Sequence, residues 1–143
     1  MLRRNFLRTA ATTAGAVNLA QFPHHLYAST TKKSASDRVK LGPAKVELSR
    51  LAMGTGTNGG GGSSNQTKKL GVEGLANLFK AGYDLGVTFW DTADQYGTHP
   101  HAKAALKYVK RENVTILSKT HANTEAEMRA DLDRFRQIGR AHV

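Results

Sequence analysis

The sequence predicts an α/β fold in which short parallel strands alternate with amphipathic helices. Two runs that are rich in β-branched and aromatic residues, 88–91 and 114–119, each end in a polar side chain where a loop begins. One helical pattern lies between them. A strand–helix–strand unit joins parallel neighbours through a right-handed crossover, so Asp91 and Lys119 are predicted to lie at the same edge of adjacent strands.

The first 28 residues have the features of an export signal. A basic segment is followed by a mildly apolar run, 9–17, which is too short and too polar to span a bilayer or to serve as a stable membrane anchor. The Arg-Arg-x-Phe-Leu-Arg core of residues 3–8 resembles a twin-arginine signal of bacterial proteins. The alternative is a chance basic N terminus on a cytosolic protein.

This signal predicts the twin-arginine export machinery as a partner and a periplasmic or other extracytoplasmic location. Cleavage after Ala20 and cleavage after Ala28 both fit, and we take residues 1–28 as the signal. Residues 29–36 follow as a polar linker without apolar periodicity.

Charge and cysteine content restrict the class of protein. The formal net charge of +10 invites a nucleic-acid-binding hypothesis. However, residues 1–36 hold five basic residues and no acid, and the later charges are scattered, so a solvated surface is the better interpretation. The chain has no cysteine, which excludes disulfides, thiolate catalysis and zinc sites with cysteine ligands.

A hairpin and a first sheet strand are predicted next. The runs 39–41 and 45–48 flank a Gly-Pro turn, and residues 49–53 form the strand. Residues 54–59 formally match the dinucleotide fingerprint G-x-G-x-x-G, but they lead into more glycine and serine rather than directly into a helix. We therefore reject a Rossmann site, and we reject a phosphate loop because no Gly-Lys-Ser/Thr ending follows. We interpret residues 59–62 as a mobile loop.

Three helical patterns are predicted, one after each strand. The first ends near Gly86, and the third begins with a capping box at Thr124. The side chains expected to be buried are Val72, Leu75, Ala76 and Phe79 in the first helix, Ala102, Ala105, Leu106 and Val109 in the second, and Met128, Leu132 and Phe135 in the third.

Alternation along residues 88–91 assigns Asp91 and Trp90 to opposite faces of the sheet. Trp90 is then expected to pack beneath the helices, as a structural residue. The motif His99-Pro100-His101 could suggest a metal site, but no third ligand is nearby and the proline suits the first turn of a helix. We expect surface histidines and no metal.

Three side chains are expected to meet at the edge of the sheet. Neighbouring strands lie roughly 4.8 Å apart, so the Asp91 carboxylate and the Lys119 ammonium can pair. Tyr96 lies in the loop that passes over this edge, which could bring its phenol beside the ammonium. A nearby cation favours a phenolate and so makes a phenol a better acid near neutral pH.

At these residues the chain resembles the aldo-keto reductases. The match comprises Phe89-x-Asp91-Thr92-Ala93-x-x-Tyr96-Gly97, then Leu117-Ser118-Lys119-Thr120, preceded by Ser49-Arg50-Leu51-Ala52-Met53-Gly54-Thr55-Gly56. The resemblance covers residues 37–137. It implies the N-terminal three βα units of a (β/α)8 TIM barrel after the short hairpin, and NADPH-dependent reduction of an aldehyde or ketone to an alcohol, with NADH as the other possible cofactor.

The resemblance also implies roles for individual residues. Tyr96 would be the general acid, Lys119 would tune it, and Asp91 would orient the lysine and touch the nicotinamide ribose. Gly54, Thr55 and Gly56 would let the nicotinamide end of the cofactor approach the backbone. The family's fourth catalytic residue is a histidine at the end of the next strand, which this chain lacks.

Residues 138–143 break the pattern, and they are also what a common short-read sequencing adapter encodes. We therefore expect them to be an adapter artefact on a truncated sequence, with a frayed C terminus as the alternative. Three strands cannot close a barrel, so we expect the isolated fragment to be inactive. The rival functional hypothesis is an exported barrel that binds a cofactor or sugar without turnover.

Overall fold

A computed structural model describes residues 32–139, so the predicted export signal, both of its predicted cleavage sites and residues 140–143 lie outside the described part. All the elements below belong to one unit, residues 34–143. In chain order they are the strands β1 (Arg38–Leu41), β2 (Val46–Ser49) and β3 (Ala52–Gly54), helix α1 (Asn65–Asp84), strand β4 (Phe89–Asp91), a 3₁₀ turn (Asp94–Tyr96), helix α2 (His99–Ala105), a second 3₁₀ turn (Arg111–Asn113), strand β5 (Thr115–Leu117) and helix α3 (Glu125–Arg136).

The predicted hairpin is confirmed, and it lies against the N-terminal end of the parallel strands. β1 and β2 pair antiparallel, and Gly42 opens the turn with φ 66°. The Ser49 hydroxyl accepts hydrogen bonds from the backbone N–H groups of Thr88 and Phe89, at 2.9 and 3.0 Å, just where β4 begins. The prediction that the next strand starts at residue 49 is wrong, because Ser49 is used to end β2 and β3 begins only at Ala52.

The other three strands form a parallel sheet in the order β3-β4-β5. Gly54, Asp91 and Leu117 lie side by side at its C-terminal edge. Trp90 is fully buried on the opposite face from Asp91 and contacts Phe79 of α1, with 4.4 Å between the ring centroids. The prediction that Trp90 is structural agrees with this packing, and α1 and α2 pack together over the same core.

Helix α1 begins earlier than the apolar pattern indicated. Ser64 caps it through a reciprocal capping box with Thr67, and the helix is kinked at Gly71, where φ is 63°. Leu75 and Phe79 are buried as predicted, but Val72 is exposed. Because the kink at Gly71 restarts the helix, Val72 falls on the solvent side of its first turn.

Helix α3 differs from the prediction in its buried face. The capping box at Thr124 is confirmed, but Met128 and Leu132 are exposed, and the buried residue of the helix is Asp131. No described element covers the apolar stripe, whereas Asp131 accepts a hydrogen bond from the Thr120 hydroxyl in the loop after β5, and the Phe135 ring lies edge-on to His99 of α2. Ile138, just beyond the helix, is buried in the core.

Among the described residues no helix has both the length and the apolar character needed to cross a membrane.

Candidate active site

The C-terminal edge of the parallel sheet brings together two of the three predicted catalytic residues. Asp91 is the last residue of β4, and Lys119 lies two residues beyond the end of β5. The Lys119 ammonium donates a hydrogen bond to the Asp91 carboxylate in an ion pair. The side chains are 40% and 31% exposed, so the pair remains open to whatever occupies the edge of the sheet.

Tyr96 completes this group, which we call the edge cluster: Asp91, Tyr96 and Lys119. The Lys119 ammonium lies 5.0 Å from the centroid of the Tyr96 ring, within the range of a cation–π contact. Burial alone lowers the pKa of Lys119, but the hydrogen bond and charge of Asp91, with a smaller contribution from Tyr96, outweigh it. The net effect raises the pKa of Lys119 above its ordinary value, so the side chain stays cationic at neutral pH.

Thr92 ties the loop that carries Tyr96 to the end of β5. Its backbone N–H and its hydroxyl both donate to the Leu117 carbonyl, at 2.9 and 2.7 Å, and the Asp94 N–H donates to the Lys119 carbonyl at 3.1 Å. These bonds fix the two segments that hold Asp91 and Lys119. Sequence reasoning did not assign this role to Thr92, although its place directly after the strand-end acid was a signal.

The three predicted cofactor contacts, Gly54, Thr55 and Gly56, lie beside the edge cluster and differ in their exposure and in what they contact. Gly54 is exposed, with open space where a side chain would be. Thr55 is fully buried and its hydroxyl donates to the Asp91 carbonyl at 2.8 Å, so that hydroxyl is occupied within the sheet. Gly56 lies against the Tyr96 ring.

The glycine-rich segment after β3, which includes the predicted mobile loop at residues 59–62, forms hydrogen-bonded turns. Gly60 and Ser63 form a turn through two backbone hydrogen bonds of 2.9 and 3.2 Å. The Gly62 N–H donates to the Gln95 carbonyl at 2.9 Å. Gly61 and Gly62 both have positive φ, which glycine adopts without strain, so the composition of this segment specifies its shape.

A second charged group lies on the other side of the loop after β4, which carries Tyr96. We call it the outer cluster, because it joins α3 to the start of α2: Asp94, His99, Ser118, Asp131 and Arg134. The Arg134 guanidinium donates to both carboxylate oxygens of Asp94, at 3.2 and 2.8 Å, and also pairs with Asp131. The hydrogen bond from Arg134 holds the pKa of Asp94 below its ordinary value, against the opposing effect of burial.

The prediction of surface histidines is wrong. His101 is buried, and His99 is largely enclosed, with its ring 2.7 Å from the Ser118 hydroxyl and edge-on to Phe135. Pro100 lies in the first turn of α2, as predicted. Within residues 32–139, no three His, Asp or Glu side chains are grouped in a way that could hold a metal ion.

Comparison with known proteins supports one family. The model of the Aldo/keto reductase family matches residues 50–140. The thermostable aldo-keto reductase Tm1743, solved with the inhibitor epalrestat, is 27% identical over 71% of this chain, with a TM-score of 0.56. PA4992 of Pseudomonas aeruginosa, assigned to the aldo-keto reductases, is 23% identical over 77% of this chain, also with a TM-score of 0.56.

The chain spans 38% of the length of Tm1743 and 45% of that of PA4992. No curated protein sequence matches it at a significant level. The residues of the edge cluster all fall within the range that the family model matches.

Proposed function

Because this chain belongs to the aldo/keto reductase family, we propose that it carries part of the catalytic site of an oxidoreductase that uses NADPH to reduce an aldehyde or ketone to an alcohol. The observation that carries this proposal is the edge cluster. An acid, a phenol and a cation lie together at the C-terminal edge of a parallel sheet, which is where barrel enzymes place their reacting groups.

In the proposed reaction Tyr96 donates its phenolic proton to the carbonyl oxygen of the substrate as that oxygen becomes an alkoxide. The Lys119 cation favours the phenolate that is left behind, and Asp91 fixes the lysine through their ion pair. A bound nicotinamide cofactor supplies the hydride that adds to the carbonyl carbon. Tyr96 then regains a proton from solvent, so that one carbonyl group, one proton and the hydride that the reduced cofactor would supply become one alcohol and the oxidised cofactor.

The residues at the edge fit a nicotinamide cofactor. Gly54 lies in register with Asp91 and offers exposed backbone with no side chain in the way, so a flat ring could approach closely. Asp91 and Lys119 offer the polar groups that ribose hydroxyls require. We propose Gly54, Gly56 and Asp91 as cofactor contacts, and Thr55 as a residue that supports Asp91 from beneath.

We propose that the described strands β3, β4 and β5 are the first three of a (β/α)8 barrel, with the hairpin beneath them. Their parallel order and the position of the hairpin support this arrangement. The part of Tm1743 that this chain matches is 38% of that protein, and most substrate contacts and the catalytic histidine are proposed to lie in the remainder of the barrel.

The decisive experiment is Tyr96→Phe in a protein that contains the whole barrel. Removal of the hydroxyl takes away the proton donor, so carbonyl reduction should fall by about 100-fold or more. Cofactor binding should be nearly unchanged, because the ring remains. The measurement is the loss of NADPH absorbance with a panel of aldehydes and ketones, beside fluorescence titration with NADPH and with NADH.

Tyr108→Phe is the matched control, since Tyr108 is exposed and makes only a long hydrogen bond of 3.4 Å to Glu73. It should leave reduction unchanged. Full activity of the Tyr96→Phe variant would remove Tyr96 from the mechanism. If the parent protein binds cofactor but turns over none of the panel, the non-catalytic barrel becomes the better hypothesis.

We also propose export by the twin-arginine route, on the basis of the Arg-Arg-x-Phe-Leu-Arg core at residues 3–8. A protein that loads a nucleotide cofactor in the cytoplasm needs a route that carries folded chains. Replacing Arg3 and Arg4 by lysines keeps the charge and should leave the protein in the cytoplasm, as measured by cell fractionation. An unchanged distribution between fractions would contradict the proposal.

A further inference from the structure

Two glycines of the segment after β3 lie against opposite edges of the Tyr96 ring. A β-carbon placed on Gly56 would fall 2.5 Å from Cζ and 2.8 Å from Cδ2 of the ring. A β-carbon placed on Gly59 would fall 2.8 Å from Cε1. Real β-carbons essentially never come this close to other atoms, so any side chain at either position would displace the ring.

Gly56 and Gly59 are glycines because the Tyr96 ring leaves no room for a side chain, and not because of their backbone conformation. Gly61 and Gly62 have φ of 59° and 81° with open space beside them, so their backbone conformation calls for glycine. Gly56 and Gly59 do not have positive φ, and their Cα atoms directly face the ring. The same short segment therefore uses glycine for two different purposes.

The segment is held around the ring by hydrogen bonds on both sides. The Gly59 N–H donates to the Gly56 carbonyl at 2.8 Å, which closes the turn at one edge of the ring. Gly62 donates to Gln95, the residue before Tyr96. On the far side Gly97 has φ 61°, and the Gly62 carbonyl occupies the place where its side chain would be. Tyr96 thus has little freedom to rotate away from Lys119.

We infer that Gly56 and Gly59 are positioning residues for Tyr96. They allow the backbone to close on both edges of the ring and so hold the phenol beside the Lys119 ammonium. Only the expected effect of these glycines on turnover rests on the proposed function. The positioning itself is a property of the folded chain, and it can be measured without cofactor or substrate.

The experiment compares Gly56→Ala with Gly60→Ala in the full chain. Gly60 is the matched control, because it belongs to the same segment, has no positive φ and faces open space. With ¹³C-labelled tyrosine, the NMR resonances of the Tyr96 ring, assigned from Tyr96→Phe, should shift in Gly56→Ala. They should match those of the parent protein in Gly60→Ala.

In a protein with the whole barrel, Gly56→Ala should lower kcat by roughly 100-fold, since misplacement of a reacting group by about 1 Å has effects of this size. If the parent protein shows no reduction at all, the proposed function fails, but the NMR comparison still tests the positioning.

A double variant keeps the inference testable if Gly56→Ala folds poorly. The nearest neighbours of the added carbon all belong to Tyr96, so Tyr96→Ala should vacate the space it needs. Gly56→Ala should lower the Tm by about 4 °C or more in the parent chain and by much less in the Tyr96→Ala background. Equal losses in both backgrounds, or an unshifted Tyr96 resonance in Gly56→Ala, would overturn the inference.

Discussion

The edge cluster and the outer cluster use the same kinds of charged group on two sides of one loop, yet their surroundings differ. In the edge cluster Lys119 has a single carboxylate partner and is 40% exposed. In the outer cluster Arg134, which is 47% exposed, binds two carboxylates, and one of them, on Asp131, is only 9% exposed. The first group leaves its cation available to a ligand, and the second uses its cation to hold elements together.

The type of cation in each cluster, lysine or arginine, agrees with this difference in role. An arginine guanidinium presents several donors in a rigid plane, which suits Arg134 where it connects the loop residue Asp94 to Asp131 of α3. A lysine ammonium is a compact point charge on a flexible stem, which suits a site where the partner changes during a reaction. The two acid–cation groups therefore differ in the burial of their carboxylates and in the number of partners that each cation has.

Replacing each cation by methionine gives the sharpest test of this difference. Lys119→Met should reduce turnover of the proposed reaction by about 100-fold or more, because Tyr96 loses the cation that favours its phenolate. Its free energy of unfolding should change by less than about 1 kcal/mol, since the ion pair is exposed to solvent. Turnover is measured by cofactor absorbance, and stability by urea unfolding.

Arg134→Met should instead lower the free energy of unfolding and leave turnover unchanged. It leaves the largely buried Asp131 carboxylate without its arginine, so we expect a loss of about 1 to 3 kcal/mol of stability with turnover preserved. Arg136→Met is the control on the same helix, because Arg136 pairs with the exposed Asp133 and should cost less than about 0.5 kcal/mol. If Arg134→Met also abolished turnover without loss of stability, the two clusters would not be separate.

The edge cluster was predictable from sequence because local rules determine it. Alternation along β4 fixes the face on which Asp91 lies, and the crossover rule places β5 beside it in parallel. Lys119 lies two residues beyond Leu117, the register partner of Asp91, and its long side chain reaches the carboxylate. The family resemblance added the assignment of Tyr96, which alternation alone could not place.

The outer cluster was not predictable, because its contacts join residues that are distant in sequence. Asp94 and Arg134 are separated by 40 positions and belong to no shared periodic pattern. The same limit explains the errors on Met128 and Leu132. Helical spacing identifies an apolar stripe, but only the tertiary structure decides whether another element covers it. Likewise, nothing local shows that Gly56 faces an aromatic ring.

A smaller effect is expected from two enclosed histidines in α2, His99 of the outer cluster and His101. Burial lowers the pKa of His99, and the Asp94 and Asp131 carboxylates oppose this shift while Arg134 adds to it. Burial also lowers the pKa of His101, against a backbone contact to Gly97. Both rings are therefore neutral in the folded protein at a pH where the unfolded chain, with a pKa near 6.5, begins to take up protons.

Because the unfolded state binds more protons in this window, stability should rise with pH and should be lost as pH falls below about 7, until the folded-state pKa values are passed. Each histidine contributes a slope of at most about 1.4 kcal/mol per pH unit. The lowered pKa of Asp94 acts in a separate window, near pH 4 and below, so measurements between pH 5 and pH 8 isolate the histidines.

The measurement is the free energy of unfolding in urea at several pH values for the parent protein and for His99→Asn, His101→Asn and His121→Asn. The first two variants should each reduce the slope, because each removes one group that must be neutral to remain buried. His121 is exposed, and its replacement should leave the slope as it was. A parent protein whose stability is flat from pH 8 to pH 5 would mean that these rings are hydrated in solution, and the outer cluster would then be as open to water as the edge cluster is.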